Sequence, residues 1–132
     1  LADNAIAINP TIVLRTDSEE DLKNAIAKIP QDQPIDAIFA LEEIDTVAAL
    51  KFGLKNGFKI PEELSIIGFA DGILASRRLT PSVTTVSQHA PEIGEKAAQL
   101  LIDRLESKEE EELPYKTVVI NTILKEREST RG

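Results

Sequence analysis

The sequence has no cysteine, no methionine and no tryptophan, and a single histidine, His89. The lack of cysteine excludes disulfides and thiolate metal sites, and allows a reducing compartment. No apolar run approaches the roughly 18–20 residues that a membrane-spanning helix needs. No basic stretch leads into an apolar one in the manner of a signal peptide. Neither G-x-G-x-x-G nor G-x-x-x-x-G-K occurs, so a nucleotide-phosphate cradle has no support. Without G-x-S-x-G or a usable Ser/His/Asp order, no catalytic nucleophile stands out. Positive charge is also short: 15 Lys and Arg face 23 Asp and Glu, a net charge of −8. That balance argues against this stretch gripping a phosphate backbone, which requires clustered cations. Lys51, Lys55 and Lys59 are scattered over one helix and turn, and the adjacent Arg77 and Arg78 fit solvated surface better than an anion site. The chain opens on Leu1 rather than methionine, which suggests a processed or excised piece.

What remains is an ordinary globular composition. At 132 residues, 42% apolar and 29% charged, the chain has the length of one domain with one core. Strand and helix patterns alternate along it. Residues 11–15 (TIVLR) read as a short strand, and Ser18 with Asp21 three residues later reads as a helix cap. Leu22, Ala25, Ile26 and Ile29 recur at helical spacing until Pro30. Residues 36–41 and 64–69 are near-continuous apolar runs, typical of parallel strands covered on both faces. Between them a helix over 43–56 places Ile44, Val47, Ala48 and Leu54 on one face, widened by Leu50 and Phe52, with Gly57 as its stop. Residues 84–87 form another strand, and Pro91 opens a long helix whose buried stripe is Ile93, Ala97, Leu100, Leu101 and Leu105. The acids at 109–112 oppose the helix dipole, so this helix should fray near Ser107. A last strand covers 115–124. Strand-helix alternation at this spacing predicts an α/β fold, a three-layer αβα arrangement with a mostly parallel sheet.

Two strand ends carry acids. Glu42 lies just past the 36–41 strand, beside Glu43 and Asp45, and Asp71 lies just past the 64–69 strand, followed by Gly72. The positive end of the helix dipole accounts for acids at 42, 43 and 45 without any site. If the two strands are neighbours, Glu42 and Asp71 share a crevice at the carboxyl ends, where open parallel sheets bind ligands. Such a pair could hold a divalent metal, act as acid and base, or accept hydrogen bonds from hydroxyls. Metal is the weakest of these, because His89 is remote and no ligand spacing is present. His89 fits polar surface or a local hydrogen-bonding role better than ligand contact.

Three motifs then combine: "PIDAIFALEEIDTVAALKFGLKNGFKIPEELSIIGFADG", "LTPSVTTVSQHAPEIGEKAAQLLIDRL" and "NTILKEREST". In order and spacing they resemble the C-terminal part of LacI/GalR-family transcription regulators, over about residues 34–130. The resemblance implies the second lobe of a periplasmic-binding-protein-like effector domain, comprising residues 1–132 as one fragment. It further implies that the strand and helix at 86–108 cross over to a first lobe absent from this sequence. In such regulators a separate N-terminal helix-turn-helix binds operator DNA, and a small effector sits between the lobes.

By that resemblance the ligand-binding positions are Glu42, Ala70, Asp71 and Gln88, with Arg15 a looser match. Ala70 departs from the acid that usually follows the G-F pair, leaving Asp71 as the acid of this turn. Glu42 replaces the usual Asn or Asp with a longer side chain. The expected function is effector sensing, with a sugar or sugar derivative as effector, in a cytoplasmic homodimer without catalysis, cofactor, metal or membrane. A periplasmic sugar-binding protein of the same fold is the alternative, followed by an α/β enzyme built on the acidic positions. Apolar width on the 43–56 helix, with Ala48 and Ala49 permitting close approach, and the leucines of the Pro91 helix are the expected dimer surfaces.

Overall fold

The computed structural model describes residues 7, 9–16, 18–28, 35–69, 71–72, 79–107 and 115–131. Helix α1 (Glu19–Ile26), strand β1 (Ala37–Ala40), helix α2 (Glu43–Lys55), strand β2 (Ser65–Gly68), strand β3 (Thr84–Ser87), helix α3 (Ala90–Glu106) and strand β4 (Ile123–Lys125) follow in that order. One sheet, ordered β1-β2-β3-β4, holds all four strands; β1, β2 and β3 run parallel and β4 antiparallel to β3. The mostly parallel α/β architecture is as the alternation predicts. Ile29, Pro30, the 31–34 loop, Arg77, Arg78 and the 109–112 acids lie outside the described residues.

Local signals account for the ends of α1 and α2. Ser18 Oγ accepts from the Asp21 N–H at 3.1 Å and donates to the Asp21 carboxylate at 2.7 Å, closing the first turn of α1. Gly57 takes φ +77° just beyond α2, a conformation that side chains with a Cβ resist. α1 delivers Leu22 to a core shared with Ala49, Leu50, Phe52, Leu64, Ile66 and Val83.

The face α2 buries differs from the one its apolar residues suggest. Thr46, Ala49, Leu50, Phe52 and Gly53 go inward, at i, i+3, i+4 and i+7 spacing plus Phe52. Ile44 is 75% exposed. The contact with the sheet explains this. β2 presents Gly68 beneath α2, and a Cβ there would stand 2.6 Å from Thr46 Oγ1. Thr46 can be buried because its hydroxyl donates to the Glu42 carbonyl at 2.8 Å, one turn back. Small and polar residues thus make the closest approach. Ala49 is part of the core, so it does not open a surface for another helix.

Four further expectations are corrected. Residues 11–15 are not a strand: Pro10–Ile12 is a 3-10 turn. Asn9 Oδ1 accepts from the Thr11 N–H at 3.0 Å and the Thr11 hydroxyl at 2.7 Å, and Pro10 supplies the fixed φ, so the backbone is used locally. The last strand is confined to β4, Ile123–Lys125; residues 115–122 join no ladder. α3 begins with Pro91 in its first turn, as predicted, and ends at Glu106, but it buries none of its residues. In its expected stripe Leu100 is half-buried while Ile93, Leu101 and Leu105 are exposed, Leu105 by 74%. Coverage of β1 is one-sided as well. Ala40 is buried, whereas Phe39, on the other face, is 57% exposed.

The sheet depends on a segment after β4. The β2–β3 ladder pairs only Ile67 with Thr84 and Gly68 with Thr85. Below that point Ser129, fully buried, takes the place of a strand partner. Its carbonyl accepts from Ile66 N–H at 2.9 Å, its hydroxyl donates to the Ile66 carbonyl at 2.5 Å, and the same hydroxyl accepts from Thr84 N–H at 2.9 Å. Thr130 Oγ1 shares a hydrogen bond with Thr84 Oγ1 at 2.7 Å, and Glu128 accepts from the Ser82 N–H at 2.7 Å and its hydroxyl at 2.8 Å. Replacing Ser129 with Ala leaves two buried backbone groups without their partner. The expected loss is about 2–4 kcal/mol of unfolding free energy, read as a lower urea midpoint at unchanged m-value. A midpoint equal to the parent's would refute the wedge role.

Candidate functional site

The carboxyl ends of the three parallel strands are tied edge to edge. Phe69 N–H donates to the Ala40 carbonyl at 2.7 Å, and Gln88 Nε2 donates to the Phe69 carbonyl at 2.5 Å. The Phe39 and Phe69 rings meet edge to face with centroids 6.1 Å apart. Gln88, exposed and just past β3, therefore straps the end of β2.

Asp71 lies beyond that strap and is nearly enclosed, with its side chain 15% exposed. Both carboxylate oxygens are engaged. Oδ1 accepts from Arg127 Nη2 and from Thr85 Oγ1, each at 2.9 Å, and Oδ2 accepts from Lys125 Nζ. Arg127 is held in turn: Nη1 donates to the Val83 carbonyl at 2.6 Å and to Thr85 Oγ1 at 2.8 Å, and its backbone N–H donates to Thr84 Oγ1 at 2.8 Å. A closed ring of Arg127, Thr85 and Asp71 results. Burial pushes the Asp71 carboxyl up, but the hydrogen bonds from Lys125, Arg127 and Thr85 outweigh it and hold the group well below the usual carboxylate range.

Gly72 completes the turn. A Cβ there would run into the Glu43 carboxyl group, so the turn is pressed against the first turn of α2. Glu42 itself is exposed. It occupies the N-cap position of α2 without a side-chain capping bond, and its carbonyl accepts from the Thr46 N–H at 3.0 Å. β1 and β2 are neighbours, as the shared-crevice argument required. The acid that reaches the 71–72 turn is Glu43, while Asp71 turns toward β3 and β4. Arg15 is exposed in the irregular stretch after the 3-10 turn, and Ala70 lies outside the described residues. Among the described residues no three His, Asp or Glu side chains gather in a metal-ligating group. His89 caps α3 in the left-handed region, φ 54° and ψ 45°, and its Nε2 is buried without a hydrogen-bond partner among the described residues.

Sequence reasoning missed Lys125, Arg127 and Thr85. A signal was present: Lys125 and Arg127 stand two apart on an extended segment, the spacing that puts side chains on one face. The pairing of Thr85 with Lys125 across β3 and β4 then brings both cations to Asp71.

A family model for periplasmic binding protein-like domains matches residues 2–130. The HTH-type transcriptional regulator MalR of Clostridium butyricum is 32% identical over 131 residues, 98% of this chain and 38% of the relative. A putative LacI-family transcriptional regulator from Sanguibacter keddieii has the same fold over 100% of this chain and 49% of its own, with a TM-score of 0.85 at 22% identity. The transcriptional regulator CelR, in complex with cellobiose, gives a TM-score of 0.76 at 25% identity over 97% of this chain and 38% of its own. The chain thus spans well under two thirds of these proteins. No helix among the described residues is long and apolar enough to cross a membrane.

The Asp71 ring predicts a pH dependence of stability. A carboxyl whose folded pKa is depressed contributes stability that is present above its unfolded value and lost as pH falls through the folded one. Urea midpoints measured from pH 6 to pH 2 should therefore fall below about pH 4 in the parent, and Asp71→Asn should flatten that part of the curve. Parallel curves for the two proteins would contradict the assignment.

Proposed function

The chain belongs to the family of periplasmic binding protein-like domains, with LacI-type transcription regulators as its relatives, and from that premise we propose that it is the effector-sensing and dimerising part of such a regulator. The observation that carries this reading is the site itself: three parallel strand ends tied together through Phe69, to Ala40 on one side and to Gln88 on the other, with polar groups from three loops beyond them. Ligands of open α/β sheets bind there. The effector rests on Glu42, the Ala70-Asp71 turn and Gln88, with Arg15 completing the rim. The first lobe closes over it, and the strand and helix at 86–108 belong to that lobe; the lack of any buried residue in α3 supports this. Operator DNA is read by a module outside these 132 residues, and the net charge of −8 suits that division. The protein is cytoplasmic and does no catalysis.

The effector is a neutral polyhydroxylated molecule, a sugar or sugar derivative. An exposed carboxylate at Glu42 and an amide at Gln88 suit hydroxyl groups, and CelR was solved with cellobiose. Two copies associate through the outer side of α2, where Ile44 and Leu54 are exposed.

Calorimetry of the regulator that carries this domain, against cellobiose, ribose and glucose, tests the ligand reading. Glu42→Ala and Gln88→Ala should each weaken binding by about 10-fold or more, the size of a lost charge-assisted or buried hydrogen bond. Parental affinity in both variants would remove the cleft assignment. For the assembly, sedimentation should show a dimer, and Ile44→Glu should shift it toward monomer; a parent that stays monomeric at high concentration would refute it.

A further inference from the structure

Asp71 is not held by its own loop. Among the described residues, the groups that fix it come from β3 (Thr85), from β4 (Lys125) and from just past β4 (Arg127). These two strands lie side by side, antiparallel. One leads out to α3 and the other returns from it. We propose that Lys125 and Arg127 are positioning residues that set the 71–72 turn from the two connecting strands, so that the turn and the β3–β4 pair move as one unit. This deepens the reading above and rests on it for the identity of the turn as a ligand contact.

The two cations divide the work. Arg127 is the fixed arm: its side chain is 19% exposed and makes three hydrogen bonds, to Val83, Thr85 and Asp71. Lys125 is the exchangeable arm: its side chain is 44% exposed, on a flexible stem, and it reaches Oδ2 from the strand position opposite Thr85. A ligand hydroxyl arriving at Oδ2 competes with Lys125 and leaves the Arg127 ring intact. Occupancy at the turn is thereby exchanged for a contact on β4. The β3–β4 pair is where a change in the 86–108 connection begins.

Hydrogen exchange tests this without any ligand. In Lys125→Met, amides at Gly72, at 86–88 and at 123–125 should all exchange about two- to fivefold faster, the range that a partly exposed ion pair supports. Lys125→Arg should restore parental rates at all three places. A variant that loosened the turn alone, or none of these amides, would overturn the proposal. So would a failure of arginine to rescue. A second arm repeats the exchange on parent and Lys125→Met with cellobiose, ribose or glucose added at millimolar concentration. A sugar that binds should slow exchange at 86–88 in the parent more than in the variant, and equal slowing in both would overturn the coupling. If no sugar binds the parent, the sugar reading fails on its own, and the ligand-free rates still decide the positioning role.

Discussion

The structure depends on what happens where β2 and β3 separate. Two parallel strands that diverge inside a core leave backbone groups without water and without a ladder. Such groups cost about 1–3 kcal/mol each when unmet. Ser129 meets three of them, two on Ile66 and one on Thr84, with one carbonyl and one hydroxyl. The residues on either side of it add to the same seam: Glu128 binds Ser82, Thr130 binds Thr84, and the Arg127 N–H binds the Thr84 hydroxyl. A stretch of four residues, far away in sequence, therefore completes a sheet it does not formally join.

Arg127 of that stretch, with Lys125 just before it, also builds the electrostatics of the site. The chain carries a net charge of −8, so an acid at a strand end could be expected to face its neighbours' repulsion. Asp71 instead meets two cations and a hydroxyl, and its negative charge is stabilised within the fold. This preorganises the turn, since the carboxylate's direction is set by Arg127 rather than by solvent. Glu42, by contrast, keeps an exposed side chain at the next strand end. The two acids are alike in sequence position and opposite in circumstance. One is structural cement for the turn, and the other is open to solvent.

The apolar surface is unevenly resolved. Leu22, Leu50, Phe52, Leu64, Ile66 and Val83 form a closed core between α1, α2 and the sheet. Outside it, Phe39, Leu41, Ile44, Leu101, Leu105, Val118 and Val119 remain exposed. The helical period read in α3 is present, although no residue of the helix is buried.

The sequence by itself determined the alternation of strands and helices, the cap at Ser18, the stop at Gly57, the strand at Thr84–Ser87 and the start of α3 at Pro91. These follow from local chemistry: side-chain caps, positive φ, β-branching and the ring of proline. It also placed Glu42 and Asp71 just past two strand ends, but only the sheet pairing made those strands neighbours. Only the tertiary structure decided which face of α2 is buried, since a glycine on β2 selected Thr46 over Ile44. Only it showed that residues 10–12 turn locally and that 115–122 gain no ladder, because a strand exists by virtue of its neighbour. And only it joined Asp71 to Lys125 and Arg127, more than fifty residues on, since a salt bridge across a sheet depends on register and leaves no mark on local propensity.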